Sequence, residues 1–287
     1  MPLAPFLALA FASQDTPYRN ENLDTMVQQS AVLLYNKIAE MNSQDLQSMT
    51  ASVDTGLCLV GGILKPGEFF SLRRPPSGSD YHYLIAAANH KGATIAFRIK
   101  DADGKVVRTA SSNDADYSVF TTVRESQGRT NGIWSYDVVN MAKTGAPIFA
   151  SVLCTRSGNQ GIKFNPSSLY ECLVNLSKGV GELKAENYGF KTGMPVIAAI
   201  HAKPNERLVM GPYDMSTETA VLGATDSQDK KLNLYLTNID GDIYEDAEDQ
   251  GTASPYAILS GKTGVRIRLL NTDSRSGFIS YAVMKPL

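Results

Sequence analysis

Cysteine, histidine and tryptophan are scarce in this chain of 287 residues, which holds three, three and one of them. The cysteines, Cys58, Cys154 and Cys172, are too few for a disulfide scaffold and too widely spaced for a C-x-x-C metal or redox motif. A general base could come only from His82, His90 or His201 among the imidazoles, and no G-x-S-x-G or H-E-x-x-H motif occurs. An excess of either charge is also lacking: 27 Lys and Arg against 29 Asp and Glu leave a net charge of -2 and a pI near 6.0. Such a balance offers no basic surplus to neutralise a phosphate backbone, which argues against a general nucleic-acid binder. Long apolar runs are missing as well. Residues 3–12 fall well short of the about 20 that span hydrocarbon, so no membrane span is expected.

That short run has its own meaning. It ends in Ala10-Phe11-Ala12 and turns polar at Ser13-Gln14-Asp15, the pattern of an apolar h-region closed by an A-x-A cleavage site. Residues 1–12 are therefore read as a signal peptide, although Met1-Pro2 places no Lys or Arg side chain ahead of them. Export would put the protein in the periplasm or at the cell surface of a bacterium, where a disulfide is permitted.

The rest of the chain is long enough for two ordinary cores. Lys65-Pro66-Gly67-Glu68 returns as Lys203-Pro204-Asn205-Glu206, Thr55-Gly56 as Thr192-Gly193, and Asp101-Ala102-Asp103-Gly104 as Asn238-Ile239-Asp240-Gly241. The three landmarks keep their order and nearly one spacing, which points to an internal duplication. Short runs rich in β-branched and aromatic residues agree: 57–64, 81–88, 94–99, 105–109, 118–123, 133–139 and 148–154, then 196–202, 220–225, 232–237, 242–245, 256–259, 265–270 and 278–284. Each half thus predicts an antiparallel β-sandwich of about seven strands, with the two Asp-Gly tetrapeptides as hairpin turns.

Helices precede both sandwiches. Leu23, Met26, Val27, Ser30, Leu34, Ile38 and Met41 recur at helical spacing behind a cap at Asn20 or Asn22. Leu169, Cys172, Leu173, Leu176, Val180 and Leu183 draw the same stripe behind Asn165 and Pro166. Gly179 and Gly181 weaken this second helix by about 1 kcal/mol each relative to Ala, so it is expected to depend on packing. The expected fold is mainly β with two helices (α+β): tandem units at 13–156 and 157–287, each an amphipathic helix followed by a sandwich. Cys58 and Cys154 fall on the first and last strands of their sandwich, which are often neighbours, and a disulfide between them is expected. It would contribute roughly 3 to 5 kcal/mol. Cys172, on the apolar helix face, reads as a buried thiol.

The run from Ile95 through Asp101-Ala102-Asp103-Gly104 to Val107 resembles the central hairpin of bacterial pre-peptidase C-terminal domains. The resemblance covers about residues 56–156 and 193–285 and leaves the helices aside. It implies small β-sandwiches on a secreted bacterial protein, flanking an enzyme or binding polysaccharide or protein fibres. No functional residue carries over, because the Gly-x-Tyr signature of those domains is absent and Gly132-Ile133-Trp134-Ser135-Tyr136 is only a loose counterpart.

Candidate chemistry is sparse. Arg73 and Arg74 open a polar, proline-bearing loop whose guanidinium groups could read an acidic sugar or a partner, and its counterpart at Pro212 to Ser216 has no arginine pair. Trp134 and Tyr136 share one strand face and form either a carbohydrate platform or part of the core, the core being favoured. Asp240, Asp242, Glu245 and Asp246, with Glu248 and Asp249, make an acidic stretch that could hold Ca²⁺, with Asp101 and Asp103 as a thinner version; otherwise no cofactor is expected. Asp80, His82 and His90 could converge as metal ligands across a hairpin, and Gly261-Lys262-Thr263 reads as a turn, lacking the first glycine of a phosphate loop. The function expected is a non-enzymatic extracytoplasmic binding or structural protein, with a protein or polysaccharide partner or a place in an assembly. The alternative is a secreted hydrolase or polysaccharide-binding module whose site is built from distant residues.

Overall fold

A computed structural model of the chain describes residues 17–18, 22–43, 52–53, 57–73, 81–90, 92–112, 118–124, 135–156, 162–163, 165–247 and 254–287. Helix α1 (Leu23–Ser43) leads into β1 (Ser52–Val53), β2 (Leu57–Leu64), β3 (Phe69–Arg73), β4 (Tyr81–Ala88) and β5 (Ile95–Lys100). β6 (Val106–Ser111), β7 (Ser118–Arg124), β8 (Ser135–Asn140), β9 (Ile148–Arg156) and β10 (Ile162–Lys163) follow. Helix α2 (Pro166–Ala185) then leads into β11 (Tyr188–Gly189), β12 (Ile197–Ala202), β13 (Arg207–Met215), β14 (Thr219–Thr225) and β15 (Leu232–Thr237). β16 (Ile243–Asp246), β17 (Tyr256–Leu259), β18 (Lys262–Asn271) and β19 (Gly277–Pro286) complete the order. The protein is mainly β, with antiparallel sheets and two helices, as its alternating sequence predicts.

The apolar stripes seat the helices. Leu23, Met26, Val27, Leu34 and Ile38 of α1 and Leu169, Cys172, Leu173, Leu176, Val180 and Leu183 of α2 are buried in one cluster with the sheet residues beneath them. Asn165 caps α2 by accepting from the Ser167 N–H at 3.0 Å, and Pro166 opens its first turn. A Cβ at Gly179 would stand 2.5 Å from Leu222, so the glycine that weakens this helix also lets it approach β14 closely. The helices meet through Lys184 and Asp24, 2.7 Å apart, and through the rings of Tyr35 and Tyr170.

Beneath them runs one sheet in the order β7-β4-β9-β2-β12-β19-β14-β17, with the short β1, β10 and β11 at its margins. Its two halves meet where β2 pairs antiparallel with β12, Val60 opposite Ala198 and Gly61 opposite Ile197. Two smaller sheets, β3-β8-β5-β6 and β13-β18-β15-β16, cover its other face. A second apolar cluster, including Phe70, Phe97, Leu234 and Ile267, fills the space between these layers.

Strands β3 and β13 lie outside the sequence expectation, and they give each half eight main strands where about seven were expected. Both begin just after the repeated Lys-Pro turn. There the Glu68 carboxylate accepts from the Lys65 N–H at 2.8 Å, and Glu206 accepts from Lys203 at 2.7 Å. A buried asparagine ties each turn to the sandwich: Asn140 donates to the Leu64 carbonyl at 3.1 Å, and Asn271 donates to the Lys203 carbonyl at 3.1 Å. The hairpin turns are as read. Asp101 Oδ1 accepts from the N–H groups of Asp103 and Lys105, and Asn238 Oδ1 from those of Gly241 and Asp242.

Candidate functional site

The cysteines are thiols, and the expected bridge between Cys58 and Cys154 is not formed. Their strands are neighbours, β2 pairing with β9 through Leu59 opposite Leu153. A bulge decides the outcome: Leu59 and Leu57 face Ala199 and Ile200, so Cys58 has no residue opposite it on β12. Cys58 packs in the helix-side cluster and donates to the Ala199 carbonyl at 3.3 Å, whereas Cys154 packs against the cluster between the sheets. Cys172 is buried as read, its thiol 3.2 Å from Ser280 Oγ.

Tyr136 is not available to a ligand. It is buried between the sheets, its ring edge-on to Phe97 at 6.1 Å, which removes it from a carbohydrate platform and makes it core. Trp134 and Arg74 lie outside the described residues, as does the side chain of Arg73, whose backbone pairs with Ser135 at the margin of its sheet. Among the described residues the acidic stretch does not gather into a cation site. Asp242 is held in the hairpin turn by Asn238, and Glu245 and Asp246 alternate along β16 opposite Leu236 and Tyr235. No cluster of three or more His, Cys, Asp or Glu suited to a metal occurs among the described residues. Asp80, Glu248 and Asp249 and the side chain of His82 lie outside them, and His90 is exposed.

His201, on β12, sits near a buried ion pair. Asp226 and Lys230 meet at 2.7 Å, Lys230 donates to the Ser276 carbonyl at 2.9 Å, and Asp226 accepts from the Phe278 N–H at 3.2 Å. The imidazole packs edge-on against Phe278 at 5.1 Å, and its buried Nδ1 has no hydrogen-bond partner. Burial holds its pKa below the usual histidine value; the Asp226 charge opposes this and the Lys230 charge adds to it. A relay through Asp226 to His201 would need that carboxylate to accept from the ring, but Lys230 and Phe278 engage it instead.

The outward faces of the two smaller sheets differ sharply. On the first, Asp137 of β8 is buried beneath its neighbours, with Lys100 Nζ at 2.6 Å and the Ser71 hydroxyl donating at 2.6 Å. Arg98 lies opposite it on β5, and Lys100 also stands over the Phe69 ring. Asp137 is thus compensated from within, while Arg98 has no ion-pair partner among the described residues and reaches only Met141 Sδ, at 3.9 Å.

On the second, alternation turns Leu232, Leu234, Leu236, Val265, Ile267 and Leu269 inward and Asn233, Tyr235, Arg266 and Arg268 outward. Arg268 of β18 stands between Val209 of β13 and Tyr235 of β15, and Arg207 lies opposite Leu270. The Asn233 amide donates to the Tyr235 hydroxyl at 3.1 Å. A Cβ at Gly241, whose φ is +104°, would stand 3.0 Å from Arg268 Nη2, so the turn glycine makes room for the guanidinium. Arg268 Nε is buried without a hydrogen-bond partner. Among the described residues no carboxylate stands within ion-pair distance of Arg207, Arg266 or Arg268. Asp137 precedes the tying Asn140 on β8 as Arg268 precedes the tying Asn271 on β18; among the described residues the acid has ion-pair and hydrogen-bond partners and the base has none.

These arginines lie outside the sequence expectation. The signal was present in Val265-Arg266-Ile267-Arg268-Leu269, where strict alternation on a strand sets two guanidiniums on one face.

No protein-family description matches the chain, and no curated protein does. Among solved structures it is similar to YhaK of Escherichia coli, at 12% identity over 85% of this chain and 89% of that one, with a TM-score of 0.23. It is similar to the PBSX exported protein XepA, at 12% identity over 78% and 84% with a TM-score of 0.25. A chain of Broad Bean Stain Virus matches at 8% identity over 83% and 91% with a TM-score of 0.26. Likenesses this low carry no argument about function. No helix among the described residues is long and apolar enough to cross a membrane.

Proposed function

We propose that this is an internally duplicated, non-enzymatic binding or structural protein of a bacterial envelope or secreted assembly, with residues 1–12 as its signal peptide. Its units are 13–156 and 157–287, each a helix followed by an eight-stranded sandwich of jelly-roll order. Equivalent bonds at equivalent places support the duplication: the two Glu-closed turns, the two tying asparagines, and a helix residue hydrogen-bonded to a buried serine in each half. The hairpin that resembles pre-peptidase C-terminal domains is β5–β6, and the proposal takes from it only the idea of small sandwiches on exported proteins.

The observation that carries the binding role is the shared sheet. By pairing β2 with β12 it fixes both units in one body and leaves the two smaller sheets turned outward, one carrying the Lys100–Asp137 pair and one carrying Arg207, Arg266 and Arg268 without ion-pair partners among the described residues. A flat, rigid face with anchored polar groups suits recognition of an extended partner.

Native purification from envelope, periplasmic and cytoplasmic fractions, with mass spectrometry of co-purifying species and N-terminal sequencing, tests this. Recovery outside the cytoplasm with Ser13 at the N-terminus and a retained partner is expected. Recovery in the cytoplasm with residues 1–12 intact would overturn the reading.

A further inference from the structure

We infer that the chain associates head to tail with further copies of itself, the edge strand β6 of one molecule pairing antiparallel with the edge strand β16 of the next. The inference rests on the duplication and assembly role proposed above and names the partner. β6 and β16 are the last strands of the two smaller sheets, and no described strand pairs with their outer edges. They occupy the same place in the two halves. Arg108 lies opposite Ile99 as Glu245 lies opposite Leu236, and Val106 opposite Lys100 as Ile243 opposite Thr237, with a register shift between the two positions on both strands. β6 packs beside β7 and β16 beside β17, the two ends of the shared sheet, so these edges stand at opposite ends of the molecule.

Charge distinguishes the two edges. The Lys105 carbonyl accepts from the Asp101 N–H as the Asp242 carbonyl accepts from the Asn238 N–H, so a lysine and an aspartate hold one place. Arg108 and Glu245 hold the next, and Thr109 of β6 gives way to Asp246 of β16. All six are exposed. Both turns carry an acid, Asp103 and Asp240, so the inversion of sign belongs to the strands. Apolar side chains stand among these charges, Val107 at 54% exposure and Ile243 at 53%. A bare edge is a template for another strand; like charges oppose pairing either edge with its own copy, and opposite charges admit the other edge. One molecule cannot bring its own two ends together, so the complement of each edge comes from another copy. β2 and β12 run oppositely in the shared sheet; under the duplication β6 and β16 do the same, and molecules laid end to end meet there as antiparallel strands. Opposed residues of such a pair share a face, which brings Arg108 and Glu245, both on the side of the core residues Ile99 and Leu236, to one side of the joint. A contact between two different edges leaves one of each unused, so growth continues beyond the dimer.

Sedimentation equilibrium of the full chain from about 1 μM to about 1 mM, at low and high salt, tests this. The average mass is expected to rise with concentration past that of a dimer and to fall with added salt. Lys105→Asp with Arg108→Glu, or Glu245→Arg with Asp246→Lys, gives both edges one sign and should weaken association about tenfold or more. A mixture of these two variants, and a single chain carrying all four substitutions, should each associate as the parent does, which separates lost pairing from lost folding. A chain that stays monomeric, growth that stops at the dimer, single-sign variants that associate as well as the parent, or a mixture no better than its components would each overturn the inference. A monomer still recovered outside the cytoplasm with a different partner removes this self-association and leaves the binding role. Cytoplasmic recovery removes that role, and the sedimentation of the charge variants then still decides whether the edges pair.

Discussion

Ser30 Oγ, on the buried face of α1, lies 2.7 Å from Ser151 Oγ on β9 and 3.1 Å from the Ala87 carbonyl on β4. Cys172 of α2 stands likewise toward Ser280 on β19, at 3.2 Å, and toward the Ala224 carbonyl on β14, at 3.7 Å. A polar side chain in the middle of each apolar stripe therefore fixes where its helix sits along the sheet. Ser30→Ala leaves the Ser151 hydroxyl without this partner and should lower stability by about 1 to 3 kcal/mol in urea unfolding. An unchanged midpoint would show that the pair contributes nothing to seating the helix.

Asp137 provides a sharper case. Lys100→Met removes the ammonium from a carboxylate with almost no water and should cost about 3 to 5 kcal/mol, less whatever Arg98 recovers. Asp137→Val combined with Lys100→Met should restore most of the loss, because the buried charge has gone with its partner. A double variant no more stable than Lys100→Met would refute this account.

Acid should weaken the fold in two stages. Burial lowers the pKa of His201 from its ordinary 6.5, so between the lowered value and 6.5 the unfolded chain binds the extra proton. Its contribution is full above that unfolded value and is lost as pH falls through the window beneath it. Burial alone would raise Asp24, but the hydrogen bonds from Lys184 and the Thr25 backbone and the Lys184 charge together outweigh this and hold the carboxyl below 3.8, so its contribution disappears only in stronger acid. Unfolding midpoints measured from about pH 7.5 down to about pH 5 should decline, and His201→Gln should flatten that decline. Parallel curves for parent and variant would assign the effect elsewhere.

Thiol chemistry gives an independent check on the cysteines. Burial pushes the Cys58 thiol up to about 12 and raises Cys172 as well, the hydrogen bond to Ser280 only partly offsetting it. In the native protein neither should react with iodoacetamide at about pH 8, and both should react once the chain unfolds in denaturant. Peptide mapping of the alkylated sites reads this directly, and rapid native labelling at either would contradict their placement.

Much of the fold was legible because one face of nearly every element is apolar. The stripes of α1 and α2 and the runs at 57–64, 81–88, 232–237 and 256–259 coincide with observed elements. β3 and β13 were hidden for different reasons. Phe69-Phe70-Ser71-Leu72 is short and follows at once on the Lys-Pro turn, without a clear alternation of its own, and Gly211-Pro212 breaks β13, whose register shifts there. The candidate site was harder to see. Under the proposed duplication, Asp137 and Arg268 correspond only when the spacing between the halves is allowed to shrink, since β17 passes into β18 almost at once while β7 and β8 lie well apart in sequence. A search at constant spacing, which the turns reward, loses the last two strands of each sandwich. The Cys58–Cys154 expectation failed on a single inserted position: adjacency of strands is readable from order, but a bulge that re-aims one side chain is not.

The antiparallel contact between β2 and β12 has a further consequence under the proposed duplication. Corresponding strands that pair in opposite directions are what two identical subunits would offer each other across a two-fold axis. A lone ancestral unit would then have been a dimer, and fusion made the partner permanent, freeing one copy to exchange an acid for an arginine on its outer face without imposing the change on the other. An excised half, its β2 or β12 margin exposed, should revert to pairing with itself.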